Sequence, residues 1–141
     1  MKLLRRADGA IDGGAVRAIS GNWKTFCAVG SNGKAYCWGR NRWAEAGTGA
    51  QTGENAVTRP TPVNGGRSSY SGVAAGTRSG CAFTATEVDC WGTNTDGQLG
   101  RNLAVSDTAA YGAAAVTDAS RGAVYASGVR AVAAGWLHTC V

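Results

Sequence analysis

Five cysteines are the most reactive side chains in the chain, and their spacing limits what they can do. Cys27, Cys37, Cys81, Cys90 and Cys140 fall nine to fifty residues apart, so no C-x2-C to C-x4-C pair offers zinc two ligands from one turn. His138 is the single histidine and has no nucleophile motif to serve. There is no Gly-x-Ser-x-Gly turn and no Gly-rich phosphate loop closed by Lys-Ser/Thr. Asp89, Asp96, Asp107 and Asp118 sit where turns and strand ends are expected, and Asp96-Gly97 reads as a turn. The Gly72–Gly76 stretch lacks the G-x-G-x-x-G spacing of a dinucleotide loop. The chain therefore reads as non-enzymatic, with no metal and no cofactor, and the chemistry left to the cysteines is disulfide formation.

That chemistry needs the cysteines placed in pairs, and an internal repeat does this. Val16-Arg17-Ala18-Ile19-Ser20-Gly21-Asn22-Trp23 leads to Cys27, and Val129-Arg130-Ala131-Val132-Ala133-Ala134-Gly135-Trp136 leads to Cys140, at a constant offset of 113. A middle copy runs from Gly72 to Gly76 and leads to Cys81. A second signature, Cys37-Trp38-Gly39-Arg40-Asn41, recurs 53 residues on as Cys90-Trp91-Gly92-Thr93-Asn94. A period of this length belongs to a propeller blade of about four strands, or to a solenoid unit. The boundaries read as a lead-in over 1–15, repeats over 16–72 and 73–128, and the start of a third over 129–141.

Each copy reads as strands. The first strand turns at Gly21-Asn22, Trp23 to Val29 forms the second, and Lys34 to Trp38 pairs back through a Ser31-Asn32-Gly33 hairpin. With that loop fixed, Cys27 faces Cys37. In the second copy a four-residue loop, Thr84 to Glu87, places Phe83 opposite Val88 and Cys81 opposite Cys90. Opposed residues of antiparallel strands lie ~4.5–5.5 Å apart at Cα, within disulfide range, so Cys27–Cys37 and Cys81–Cys90 are the expected bonds and Cys140 is left unpaired. The competing reading is five buried free thiols, since cysteine packs well as a small apolar residue.

Composition agrees with many short strands. Gly and Ala account for 22 and 26 of the 141 residues, while charged residues make up only 16%. Five Trp and four Tyr supply the large apolar bodies. The net charge of +5 is scattered, and Lys2, Arg5 and Arg6 form the only tight cluster, so no stripe fit for nucleic acid is visible. No run approaches the ~18 apolar residues of a membrane span, and Met1 to Arg6 lacks the apolar stretch of an export signal.

The motifs resemble the repeat family named after the regulator of chromosome condensation. Val129 to Thr139 fits the first half of its repeat, with His138-Thr139 in place. Trp91-Gly92-Thr93-Asn94-Thr95-Asp96-Gly97-Gln98-Leu99-Gly100 matches the second half at every motif position. Arg59-Pro60-Thr61-Pro62-Val63 resembles its proline-bearing connector. The first copy departs from the pattern, with Ala44 for the turn Gly and Ala46 for the Leu. The second copy shows no proline connector between Leu103 and Tyr125. Cysteine before Trp-Gly resembles bacterial, exported members.

The resemblance implies an all-β fold of antiparallel four-stranded propeller blades, commonly seven to a ring. Seven periods need roughly 350 residues. The expectation is therefore a fragment of a larger exported or cell-surface protein, able to self-associate through open blade faces. Trp38, Gly39, Asn41, Trp91, Gly92, Asn94, Gly97, Leu99 and Gly100 take structural roles. The implied function is binding of a protein partner through loop residues, for which Arg40, Arg42, Trp43 and Arg101 are the candidates. Family activities include guanine-nucleotide exchange and β-lactamase inhibition, and no residue here matches a motif unique to either. A carbohydrate-binding module using exposed Trp is the alternative from another class.

Overall fold

The computed structural model describes residues 11, 14–101, 106–118, 122–123 and 128–141, and all regular structure among them is β. Strands β1 (Val16–Asn22), β2 (Thr25–Gly30), β3 (Ala35–Gly39) and β4 (Val57–Pro62) form one antiparallel sheet in sequence order. Strands β5 (Gly72–Ala75), β6 (Ser79–Phe83), β7 (Val88–Asn94) and β8 (Ser106–Ala115) form a second of the same order. Two short pairs follow, β9 (Thr117–Asp118) with β10 (Gly122–Ala123), and β11 (Ala133–Ala134) with β12 (Thr139–Cys140). The two four-stranded sheets are complete propeller-type blades, and β11–β12 is the opening pair of a third copy.

The hairpin registers follow from their loops. Cys27 pairs with Cys37, Ala28 with Tyr36 and Val29 with Ala35, while Asn32 Oδ1 accepts from the Lys34 amide at 3.0 Å inside the loop. In the second blade Phe83 pairs with Val88 and Cys81 with Cys90, and Thr84 Oγ1 accepts from the Glu87 amide at 3.0 Å. Both opposed pairs are disulfides with Cα–Cα distances of 4.1 Å, and Cys140 is free and exposed. Each bond closes a short loop, with a sequence separation of 10 or 9, which limits its stabilisation to ~2–3 kcal/mol in the chain-entropy picture.

The first turn differs from the sequence reading. Gly21 remains in β1 opposite Phe26, and Asn22 pairs with Thr25, so the chain reverses at Trp23-Lys24. The reason lies in the Phe26 ring, which lies over Gly21: a Cβ there would come within 2.6 Å of Phe26 Cδ1. Gly72 does the same under Phe83, at 2.5 Å. These glycines make room for a cross-strand aromatic, and they do not form turns.

Small residues also set how closely the blades stack. Every residue of β7 is buried, because that strand is covered on both faces, whereas β1 alternates with an exposed side. The core joining the two blades includes Cys27, Cys37, Val63, Tyr70, Ala82 and Trp91. A second cluster, Cys81, Val88, Cys90 and Leu99 with Val129 and Val132 against it, joins blade two to the third copy. On the other side of blade one, Ile11 packs with Ala28, Tyr36 and the half-buried Trp38. The inner strands are also tied directly, since the Ala75 amide donates to Ser20 Oγ at 3.0 Å.

The fourth strands carry the connectors. Pro60 and Pro62 lie in β4, where an edge position spares them a ladder donor. In blade two the Ala-rich stretch builds β8 with no proline, and its Ala113 amide donates to the Asn64 carbonyl at 2.8 Å.

The Trp-Gly-x-Asn signature acts identically in both copies. Asn41 Oδ1 accepts from the Ala46 amide at 3.0 Å, and Asn94 Oδ1 accepts from the Leu99 amide at 3.1 Å. Each Asn thus closes the loop that follows its blade's third strand. Within those loops Gly97 has φ 73°, and Ala44 at the same repeat position keeps φ 60°. An L-residue there costs ~1–2 kcal/mol, so Ala44→Gly raises the unfolding free energy by about 1 kcal/mol after Gly's larger unfolded-state entropy is counted. Equilibrium urea titration at constant m-value measures it.

Candidate functional site

In an up-and-down blade the β1–β2 turn and the β3–β4 loop emerge at the same end. Blade one therefore brings Trp23-Lys24 beside residues 40–56, and blade two brings Thr77-Arg78 beside the loop after β7. Gly39 and Gly92, with φ of 102° and 101°, permit the close approach, since a Cβ at either would collide with the carbonyl of Lys24 or Arg78. The Arg40 amide then donates to the Lys24 carbonyl at 2.8 Å, and the Thr93 amide to the Arg78 carbonyl at 2.9 Å.

That backbone contact places the Arg40 guanidinium over the Trp23 ring, 5.0 Å from its centroid, and Lys24 Nζ lies at the same distance. Trp23 adopts φ 49°, an uncommon conformation for an aromatic residue that costs ~1–3 kcal/mol and is found most often at binding sites. It leaves the indole 65% exposed. The second aromatic, Trp43, has Arg42 at 5.3 Å and Arg78 at 5.2 Å from its ring, so one of its cations comes from each blade. Its Nε1 is buried with no hydrogen-bond partner among the described residues.

Trp136 completes the face. It occupies in the third copy the position that Trp23 holds in the first and Thr77 in the second, and it is 63% exposed. Asn22, Trp23, Thr77 and Trp136 line an open cleft of about 390 Å³. Two carboxylates lie close by. Glu45 is fully buried, accepts from the Trp43 amide at 2.6 Å and stands 3.7 Å from Arg40 Nε. The exposed Glu54 pairs with Arg42 at 2.5 Å. The arrangement offers exposed aromatic surface with cations held beside it, which suits recognition of a partner surface.

Of the residues singled out from sequence, Arg40, Arg42 and Trp43 stand together on this face. Arg101 is directed into its own blade, where Nη1 donates to the carbonyls of Cys90 and Gly112 at 3.3 Å each, and burial lowers its pKa. Trp23, Lys24, Thr77, Arg78 and Trp136 were not singled out. The signal was present in the repeat itself: Trp23 and Trp136 share one position of the alignment, and Lys24 and Arg78 share the next.

The Arg67 side chain lies apart from this face. Its Nε donates to Asp89 Oδ2 at 2.6 Å, Nη1 lies 2.5 Å from Glu87 Oε2, and Tyr70 Oη donates to the same Asp89 oxygen at 2.6 Å. This group ties the segment between the blades to β7.

A profile of the family described as regulator of chromosome condensation (RCC1) repeat matches residues 16–42. Among solved structures, that of Prp20p from Saccharomyces cerevisiae, described with its binding properties to Gsp1p and histones, superposes with a TM-score of 0.72 at 19% identity, covering 89% of this chain and 30% of that one. Yeast RCC1 (Prp20) bound to Kap60 gives 0.70 at 17% identity, covering 88% and 29%. Human WBSCR16 gives 0.66 at 21% identity, covering 88% and 30%. No curated protein matches the chain in sequence. The chain thus has the fold of the RCC1-type β-propeller and spans about 30% of the length of these structures.

Proposed function

We propose that this chain, built of RCC1-type blades, is a non-enzymatic protein-binding scaffold that engages its partner through the Trp23–Trp43–Trp136 face. The observation that carries this reading is the pair of exposed indoles across one cleft, rimmed by cations already ordered on aromatic rings. Aromatic and Arg anchors dominate protein interfaces, and Prp20p, the similar fold, is described with protein partners. The two disulfides support an oxidising compartment, outside the cell or on its surface, for the protein that carries these blades.

Sugar binding is the second reading, favoured by the exposure of Trp23 and Trp136. A sugar platform needs a bare indole face, and Lys24 and Arg40 already approach the Trp23 ring. The test is capture on immobilised chain, with protein and glycan arrays run in parallel. Protein ligands are expected to be retained, and the double variant Trp23→Ala/Trp136→Ala weakens them by roughly 30-fold or more at an unchanged unfolding midpoint. Arg42→Ala/Trp43→Ala weakens them in the same direction. Glycan retention with the same dependence on Trp would establish the second reading. Protein capture indifferent to all four substitutions would remove this face from the site.

A further inference from the structure

The tryptophan face carries more positive charge than its own carboxylates answer. Lys24, Arg40, Arg42 and Arg78 each hold a cation between 5.0 and 5.3 Å from the ring of Trp23 or Trp43. Two carboxylates meet them, Glu45 at Arg40 and Glu54 at Arg42. Lys24 and Arg78 form no ion pair among the described residues. Asp96, an exposed carboxylate of the loop after β7, faces the third copy instead, where it lines a cleft with Leu137 and His138. The fold does not require this set of cations. Fifty-three residues on, Arg40 and Arg42 become Thr93 and Thr95, and blade two closes its loop with the same Asn contact.

The two carboxylates are held differently. Glu45 is buried and also accepts from the Trp43 amide, so it belongs to the loop itself. The Glu54 side chain is 76% exposed and comes from the far limb of that loop. Asn41, between the two arginines, fixes this limb. Its Nδ2 donates to the Ala50 carbonyl at 2.8 Å, and its own carbonyl accepts from the Thr52 amide at 3.2 Å. The Asn55 amide then donates to the Thr52 carbonyl at 3.1 Å across Gly53, whose φ is 61°. This tight turn delivers Glu54 to Arg42, into a cleft of about 280 Å³ that it lines with Trp23, Lys24 and Arg40. A carboxylate is therefore already seated among three cations, in an exposed pair of the weak kind.

We infer that this face, given the protein-binding reading on which the inference rests, takes an acidic segment of its partner, and that Glu54 is an internal competitor for it. In the unliganded chain Glu54 holds the place that a partner carboxylate takes between Lys24, Arg40 and Arg42. On binding, Glu54 returns to solvent and the incoming carboxylate pairs with the freed Arg42 and with Lys24. The exposed Trp23 indole gives an apolar residue of the segment a surface beside that place. Charge complementarity selects this occupant over a second copy, since two such faces, each with surplus positive charge, repel one another.

The probe is a fluorescein-labelled peptide, Gly-Glu-Leu-Glu-Glu-Leu-Glu-Gly, with a counterpart in which every Glu is Gln. Both are titrated with the intact 141-residue chain at low salt and read by fluorescence anisotropy. The acidic peptide is expected to bind at least about tenfold more tightly than the Gln peptide, by a margin that shrinks as salt is added. Glu54→Gln tightens the acidic peptide by about two- to fivefold, the change that releasing one exposed ion pair produces, and Lys24→Gln loosens it by a similar factor. Asp96→Asn removes a carboxylate from the same end but frees no cation in the cleft, and it changes the affinity by less than about twofold. Equal gains from Glu54→Gln and Asp96→Asn would overturn the proposal, because bulk charge would account for both. An acidic peptide that binds no better than its Gln counterpart, or a Glu54→Gln chain that binds it no better than the parent, would do the same. So would heparin binding more tightly with the same dependence on Glu54, or dimers in sedimentation that Lys24→Gln dissolves, because the occupant would then be a sulfated polymer or a second copy. A protein ligand retained on the array through Trp23 and Trp136, yet unmoved by Glu54→Gln, overturns the acidic segment alone and leaves the protein-binding reading intact. An array that retains no protein through this face overturns both.

Discussion

Trp91→Ala lowers the unfolding free energy by ~3–5 kcal/mol, the range for removing a fully buried aromatic side chain. Trp91 is the largest completely enclosed side chain among the described residues, and its neighbours cannot close over the gap. Gly80 touches the ring from β6, where a Cβ would stand 2.6 Å from Cε2, and Gly47 touches it from blade one. Both are backbone held in place by sheet or loop hydrogen bonds, and neither has a side chain to rotate inward. The Glu45 carbonyl also loses the donor it accepts at 3.0 Å. Urea unfolding followed by far-ultraviolet circular dichroism measures the loss. A double-mutant cycle identifies the cause: Gly80→Ala is costly beside Trp91 and nearly neutral once Trp91 is Ala, because the new methyl then fills the cavity. Additive losses would place the damage elsewhere.

What was legible in the sequence was whatever a short loop determines. The Ser31–Gly33 and Thr84–Glu87 loops set the register of each hairpin, and register alone put Cys27 opposite Cys37 and Cys81 opposite Cys90. The fourth strand of blade two was not legible, because an Ala-rich run has neither the alternation nor the proline connector of its counterpart. It forms a strand because β7 offers an edge and Asn64 accepts from Ala113. The turn at Trp23-Lys24 was hidden for a different reason. Gly21-Asn22 carries a turn composition, but the glycine is needed beneath Phe26, which pushes the reversal two residues on and leaves a tryptophan in a conformation its type disfavours.

The candidate site shows the same division. Arg40, Arg42 and Trp43 follow the Trp-Gly signature, and that signature led to them. Trp23 and Trp136 were read as repeat positions, which counts a residue toward the fold and away from function. That they share a surface emerges only when the blades are stacked, where Trp23, Thr77 and Trp136 line one cleft. Arg101 has the same sequence credentials as Arg42, yet its guanidinium is spent on two carbonyls of its own blade. The difference lies in β8, whose Gly112 brings a carbonyl within reach, and the loop sequence carries no trace of that.

Asp89→Ala costs ~3–4 kcal/mol, since it breaks a buried charge pair from one side and orphans a second donor. The carboxylate is 3% exposed and binds Arg67 through Oδ1 and Oδ2, while Tyr70 Oη donates to Oδ2 at 2.6 Å. Arg67 reaches Glu87 and partial solvent, which holds the loss below that of a fully buried ion. Tyr70, 1% exposed, loses the acceptor of its hydroxyl proton. The same group gives the protein an alkaline limit. Desolvation first, and then the hydrogen bond to Asp89, raise the Tyr70 pKa above its ordinary value of 10.0. The folded state therefore keeps a proton that the unfolded state releases once pH passes about 10, and stability falls as pH rises from there, by at most ~1.4 kcal/mol per unit for one proton. Below that pH Tyr70 contributes no slope. Tyr70→Phe costs ~1 kcal/mol at neutral pH through the lost hydrogen bond and removes the Tyr70 share of the alkaline slope. Urea midpoints collected from pH 8 upward separate the two effects. An alkaline limb that survives unchanged in Tyr70→Phe would overturn the assignment of that limb to Tyr70.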